Sequence, residues 1–312
     1  NPRIYNSGTV DMGAYEYQGE KEPYTPPVIP ITTNNALNFD GTNDFVRLST
    51  LDLANCTNIP LTLSDALTIE YWFKGTNIQS AVRFQNGGEY ISAGWGTAGS
   101  FMHILSNDGG INGVSVGAAA TDGNWHHVAV TWQKGVANGF KSYLDGQLVE
   151  QKNALDNPLP SFSSGMFLGS FNGTAEFMNG SLDEVRVWNV ARTENELKAN
   201  LFNELTLPQA NLLMYYKFNH GIANGNNAGS DKLLNSANEN IYTGTLNGFA
   251  LDGTSSNWVS SFRKPKAYYV NYEYGNDAAD GTSWPNAYQT LQKALSEVAT
   301  KDTILVAAGT YY

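Results

Sequence analysis

Between Ala36 and Phe218 the chain is divided into short apolar-alternating segments separated by Gly, Asn and Asp turns. They fall at 36–39, 44–50, 67–74, 81–85, 89–93, 101–106, 126–133, 140–151, 166–171, 175–179, 182–189 and 212–218. Alternation with a period of two is the mark of a strand with one face buried, and so many short strands at this spacing indicate a sandwich or jelly roll rather than βαβ units. The composition supports this reading. Apolar residues make up 41% and charged residues 15% of the chain, and there are 31 glycines. Strands draw on β-branched and aromatic residues, and turns draw on Gly and Asn. At 312 residues the chain is too long for one small domain and fits a large sandwich plus additional pieces.

Two local signals sharpen the pattern. Tyr143-Leu144-Asp145-Gly146-Gln147-Leu148 places an Asp-Gly pair between two strands, which predicts a two-residue hairpin. Thr193 to Leu201 reads as the one helix of the main body, with Thr193 and Glu196 spaced as a capping box and Leu197 and Leu201 four apart.

The chain divides at composition changes. Residues 1–19 form a short leader, and 20–33 hold four of the eleven prolines, which fix φ and remove backbone donors, so this stretch is expected to be an extended linker. Residues 34–262 form the sandwich. Its last part, from 220, is read as a Gly/Asn-rich tail with strands at Tyr242–Leu246 and Phe249–Leu251 and an anchor at 256–259. Residues 263–312 change pattern to strand, Gly/Asp loop, helix and strand. In that helix Ser283 can cap, Pro285 sits in the first turn, and Ala287, Leu291, Ala294, Leu295 and Val298 share an apolar face. The first residue is not Met and the last apolar run ends the chain, so the sequence reads as a piece of a longer protein.

A net charge of −11 argues against nucleic acid or an anionic membrane as partner and leaves divalent cations open. The single cysteine, Cys56, excludes an intrachain disulfide framework. No run of about 18 apolar residues is present, so direct membrane insertion is not expected.

The stretch Asn124 to Trp132, NWHHVAVTW, holds two of the four histidines. Neighbours on a strand point to opposite faces, so His126 and His127 do not converge on one metal. His126 shares a face with Val128, Val130 and Trp132, and His127 shares the other with Ala129 and Thr131. The pair is expected to be structural, with one imidazole near the core and the other near the surface.

Seven segments in order resemble the laminin G-like, concanavalin A-like jelly-roll family: 36–48, 67–75, 124–132, 141–150, 167–173, 181–197 and 212–221. The flanks resemble a second family. Residues 8–19, GTVDMGAYEYQG, are similar to the closing coil of a pectin-lyase-like parallel β-helix, and 268–312 to the opening of another with its capping helix. The combination is similar to very long secreted surface proteins of gliding and marine bacteria. The expected fold is therefore an all-β, two-sheet antiparallel jelly-roll sandwich with partial β-helix segments at both ends and one helix in the C-terminal segment.

Asp40-Gly41-Thr42-Asn43-Asp44 concentrates carboxylates, an amide and turn carbonyls, the oxygen-rich set that calcium prefers. The resemblance implies a structural Ca2+ between this loop and a later strand, which gives Asp40, Gly41, Asn43, Asp44 and Asp183 as candidate ligands. Turn chemistry explains the same loop residues equally well. Trp95, in the Gly-rich SAGWGTAGS, is the candidate for a loop-borne ligand contact. Some relatives of this fold are glycoside hydrolases with a Glu-x-Asp-x-x-Glu run, and none occurs here. Asp183 and Glu184 are adjacent and expected on opposite faces, so no acid/base pair is read and no catalytic residue is named. The expectation is a non-catalytic, extracellular adhesion or binding module of a large bacterial surface protein, with a carbohydrate or cell-surface ligand and contacts to neighbouring domains of the same chain. The alternatives are a purely structural spacer repeat and an accessory module of a polysaccharide-degrading enzyme.

Overall fold

The computed structural model describes residues 34–309 apart from 53–54, 56, 64, 98–99, 108–109, 164, 263–265 and 299–301. The expected β-helix end at 1–19 and the Pro-rich linker at 20–33 lie outside the described residues. The chain divides into two compact units, one of which is Thr32–Phe262.

Apart from two small ribbons of two-residue strands, the strands of that unit are β1 (Asn35–Asp40), β2 (Phe45–Leu48), β3 (Ala66–Asn77), β4 (Gln79–Asn86), β5 (Glu89–Thr97), β6 (Ser100–Asn107), β7 (Gly110–Ser115), β8 (Trp125–Gln133), β9 (Phe140–Leu144), β10 (Gln147–Lys152), β11 (Met166–Leu168), β12 (Asn179–Trp188), β13 (Leu212–Tyr216), β14 (Lys232–Leu233), β15 (Gly244–Asn247) and β16 (Asn257–Ser260). Helix α1 spans Glu194–Ala199. The strands form two eight-stranded sheets. The first runs β10-β9-β8-β3-β12-β1-β16, with β13 also paired to β12, and the second runs β7-β6-β5-β4-β11-β2-β15-β14. The named pairings within both sheets are antiparallel, which gives the jelly-roll sandwich expected from the alternating segments.

The core lies between the sheets. Leu37, Phe39, Ile69, Tyr71, Phe73, Val128, Val130, Trp132 and Leu182 of the first sheet meet Val46, Val82, Phe84, Ile91, Phe101 and Leu168 of the second, all buried. Each fully buried aliphatic or aromatic side chain of this kind contributes about 1.5–3 kcal/mol. The Tyr71 hydroxyl crosses the sandwich and donates to the Ala93 carbonyl at 3.2 Å.

The local signals materialise. Asp145 and Gly146 both take positive φ, 49° and 76°, and close the β9–β10 hairpin. Thr193 caps α1: its side chain accepts from Glu196 N at 3.3 Å, and Glu196 Oε2 accepts from Thr193 N at 2.7 Å. The tail after residue 220 supplies sheet edges, because β16 extends the first sheet beside β1 and β14–β15 extend the second beside β2. Phe249–Leu251 is not a strand. Its side chains pack on the core instead, with Phe249 edge-on to Phe39 at 5.2 Å. Residues 175–178 also lie outside any strand.

In the other unit, β17 (Ala267–Val270) pairs in parallel with β18 (Thr303–Val306), and helix α2 spans Leu291–Glu297. The helix starts later than expected. Thr290, not Ser283, is its N-cap, and the Asp277 carboxylate accepts from Gln289 N, Thr290 N and the Thr290 hydroxyl, fixing the turn there. Ser283 and Pro285 fall in the preceding turns, and Leu295 is exposed, so the apolar face is formed by Leu291, Ala294 and Val298.

Candidate functional site

Strand β3 alternates cleanly. Leu67, Ile69, Tyr71 and Phe73 enter the core, which sends Thr68, Glu70, Trp72 and Lys74 to the outer face of the first sheet. Register then builds rows across the strands on that outer face. Thr131, Thr68 and Trp188 form one row, Ala129, Glu70, Arg186 and Tyr215 the next, and His127, Trp72 and Asp183 a third. The fourth row runs Trp125, Lys74, Ser181, Asn38 and Asn257.

The segment around α1 covers the first three rows. Leu197 packs on Ala129 and Tyr143, Leu205 on Trp188 and Tyr215, and Leu201, Phe202 and Phe262 on Trp72. Beneath this cover lies a buried polar network. Glu70 accepts from Trp188 Nε1 at 2.8 Å, its other oxygen lies 3.1 Å from His127 Nε2, and Arg186 Nη1 is 3.8 Å away. Arg186 Nη2 donates to Glu184 Oε2 at 2.5 Å, and the Tyr215 hydroxyl donates to the same oxygen at 2.6 Å. Burial pushes the Glu70 carboxyl up, but the His127 hydrogen bond and the Arg186 charge outweigh it and hold the group at about 2. Burial and the negative charge of Glu184 push the Tyr215 hydroxyl well above its ordinary range.

The two histidines of NWHHVAVTW separate as the alternation requires. His127 belongs to the covered network, while His126 lies at the rim with Nδ1 2.9 Å from Asp145 and Nε2 3.1 Å from Asp122. Alternation fails one strand away. A bulge between Asp183 and Arg186, with Glu184 at φ 53°, inserts an extra residue. Asp183 shares the row of Trp72, and the Glu184 carboxylate reaches Tyr215 and Arg186, so both acids address the outer face rather than opposite faces. Both carry internal bonds: Asp183 accepts from Ser261 Oγ and, at 2.7 Å, from Glu184 N, and Glu184 Oε2 accepts from Arg186 and Tyr215.

The five calcium candidates do not converge. Asp40 is paired with Asn179 and Leu37 with Leu182, so Asp183 lies four residues along β12 from the loop, about 13 Å away. The Asp44 side chain is buried, with one oxygen accepting from Asp40 N at 3.0 Å and the other from the Ser256 hydroxyl at 2.9 Å. Burial pushes its carboxyl up to about 6. Asp40 accepts from Thr42 N at 2.7 Å, a local turn contact, and Gly41 takes φ 80°. A cation held by Asp40, Gly41, Asn43, Asp44 and Asp183 together does not fit this arrangement, and among the described residues no cluster of three or more His, Cys, Asp or Glu side chains is placed for a metal.

Trp95 is likewise not on a loop. It lies in β5, paired with Ser80 and Met102 beside a bulge, and its indole donates to Glu176 at 2.8 Å. A loop-borne contact is replaced by a strand residue with its polar atom already engaged.

The fourth row is open. Trp125, Lys74, Ser181 and Asn38 line a groove of about 390 Å³ with Asn179 and Asn224, a volume within the range of small-ligand sites. Gly75 forms part of its floor, where a Cβ would come within 2.7 Å of the Asn179 carbonyl. Trp125 is half-buried and held edge-to-face by Phe262 at 5.8 Å, and Phe262 stacks on Trp72 at 4.1 Å. Its position is therefore fixed by aromatic packing worth about 0.5–1.5 kcal/mol per pair. Asn38 is fixed too: its amide donates to Ser181 Oγ at 3.0 Å and its oxygen accepts from Ser256 N at 3.1 Å. A braced indole beside preset amides and hydroxyls can hold a hydroxyl-rich ligand. Sequence reading missed these residues because they come together only through register. The local signal was Lys74, an exposed cation that ends the apolar run of β3.

A solved structure of a Bacteroides ovatus protein proposed to bind carbohydrate superposes with a TM-score of 0.52 at 20% identity, covering 72% of this chain and 61% of that one. The chain thus spans less than two thirds of that protein. A heptameric pentraxin of Limulus polyphemus gives 0.41 at 18% identity, covering 54% of this chain and 82% of its own. The CBM40 module of the Ruminococcus gnavus IT-sialidase, bound to α2,3-sialyllactose, gives 0.39 at 20% identity, covering 53% of this chain and 95% of its own. No curated protein matches. At these identities the first likeness speaks to the fold alone. The laminin G-like model described as the concanavalin A-like lectin/glucanases superfamily matches residues 40–198, about half of the chain. The chain belongs to this laminin G-like family of concanavalin A-like folds.

Proposed function

We propose that the sandwich is a non-catalytic carbohydrate-binding module of an extracellular bacterial surface protein, and that the open row on the first sheet is its ligand groove. Trp125 supplies the surface on which a sugar ring packs, and Asn38, Ser181, Asn179 and Asn224 supply hydrogen bonds to its hydroxyls. The observation that carries this reading is the contrast between rows: three are sealed by α1 and Phe262, and the fourth, on the same rigid strands, is left open with an aromatic at its end. Carbohydrate binding proposed for the Bacteroides ovatus protein supports the same class of ligand. A binding rather than hydrolytic role is supported by the carboxylates of this face. Glu70, Asp183 and Glu184 are buried and bonded internally, and none lines the groove.

The parallel pairing of β17 with β18 supports a β-helix start in the second unit. In this reading the module is carried between such units on a long surface protein, and calcium has no part in the ligand contact.

The test is a glycan array followed by calorimetry on the chain and on Trp125→Ala. Binding that is lost in the variant while the melting temperature stays within a few degrees supports the reading. A chain that binds no glycan supports a spacer instead.

A further inference from the structure

We infer that the groove selects an anionic sugar, one bearing a carboxylate or a sulfate ester, with the charge at Lys74 and the ring against Trp125. This rests on the carbohydrate-binding reading and adds the charge of the ligand.

The chain holds 29 acidic against 18 basic residues, so its average surface repels anions. Its lysines are mostly neutralised locally. Lys134 lies 2.6 Å from Asp65, Lys152 3.3 Å from Glu150, Lys198 2.5 Å from Glu194 and Lys217 3.3 Å from Glu204. Lys74 has no such partner among the described residues, and no carboxylate lines the groove it occupies. It is exposed, next to Trp125 in register on one side and Ser181 on the other.

The neighbours are arranged for the same ligand. Trp125 Nε1 has no acceptor among the described residues, and Ser181 Oγ accepts from Asn38, which leaves its own proton for a ligand oxygen. A neutral sugar would use Trp125 and these donors but leave the ammonium idle. An anionic one uses all of them, and charge-assisted contacts are the stronger kind. Sugar carboxylates and sulfate esters present the same chemistry to a lysine, so the groove geometry points to their shared negative charge.

The test uses the full chain and two matched pairs of oligosaccharides: oligogalacturonate with its methyl ester, and sulfated carrageenan oligomers with unsulfated agarose oligomers. Calorimetry is run on the wild type, Lys74→Met and Trp125→Ala, with melting curves to confirm folding. The expected result is tighter binding of the charged member of one pair, reduced about fivefold by Lys74→Met, the upper end for an exposed ion pair, and weakened by 0.5 M NaCl. Response of the first pair identifies a carboxylate, and response of the second a sulfate ester. Equal binding of charged and neutral members, unaffected by Lys74→Met but lost in Trp125→Ala, overturns the selectivity and leaves the carbohydrate reading intact. Binding that survives Trp125→Ala, or no binding at all, overturns both.

Discussion

His127 Nε2 lies 3.1 Å from Glu70 Oε2, and both side chains are sealed beneath the α1 segment. The pair joins β8 to β3 on the outer face, so one histidine of NWHHVAVTW braces the fold, in keeping with the structural role that strand alternation predicts. Replacing Glu70 by Ala would leave His127 Nε2 and the Trp188 indole without their partner and would take one of two carboxylates from beside the buried Arg186 charge, and is expected to cost about 3–5 kcal/mol in urea unfolding. Glu70 titrates at about 2, below its ordinary 4.5, so its contribution is complete above pH 4.5 and is lost as the pH falls toward 2. Glu70→Gln should flatten that part of the stability profile.

His103 behaves in the same direction for a different reason. Its ring is buried in the second sheet, Nδ1 accepts from Gly94 N at 3.1 Å, and burial pushes its pKa down to about 3 from 6.5. The unfolded chain therefore takes up the proton first, and stability declines as the pH falls from 6.5 toward 3. His103→Gln retains an acceptor for Gly94 and should reduce the slope of melting temperature against pH in that window. An unchanged slope would show that His103 is protonated in the fold.

Asp44 has the opposite sign. With its carboxyl pushed up to about 6 from 3.8, the folded chain takes up the proton first, and this group adds stability as the pH falls from 6 to 3.8. Asp44→Asn should remove that gain. Because Asp44 is occupied by Asp40 N and Ser256, melting curves at pH 7.5 in excess chelator and in millimolar calcium should coincide. A calcium-dependent rise of several degrees would mean that calcium displaces Ser256 and reorganises the loop.

The cap of α1 offers a smaller, cleaner effect. Thr193→Ala removes the hydroxyl that accepts from Glu196 N while keeping the backbone N–H that donates to Glu196 Oε2, and should cost about 1 kcal/mol, read as a lower midpoint in urea with an unchanged slope.

What the sequence revealed and what it hid follows from the range of each interaction. The Asp145-Gly146 hairpin and the Thr193–Glu196 box involve neighbours within a few residues, so their residue types alone specify them. The strand series was legible because alternation is a property of each segment. The groove was not, because Trp125, Lys74, Ser181 and Asn38 lie far apart in sequence and meet only when four strands choose their register. The extra residue at Glu184 reverses alternation locally, which is why Asp183 and Glu184 share a face. The register of β1 with β12, invisible in sequence, separates Asp183 from the Asp40 loop.

The central claim is that the open row binds sugar through Trp125. The most direct measurement is calorimetric titration of the chain with the strongest ligand from a glycan array, compared with Trp125→Ala. Loss of a stacked indole is expected to weaken binding at least tenfold while the melting temperature stays within a few degrees. Equal affinity in the two proteins would contradict the account.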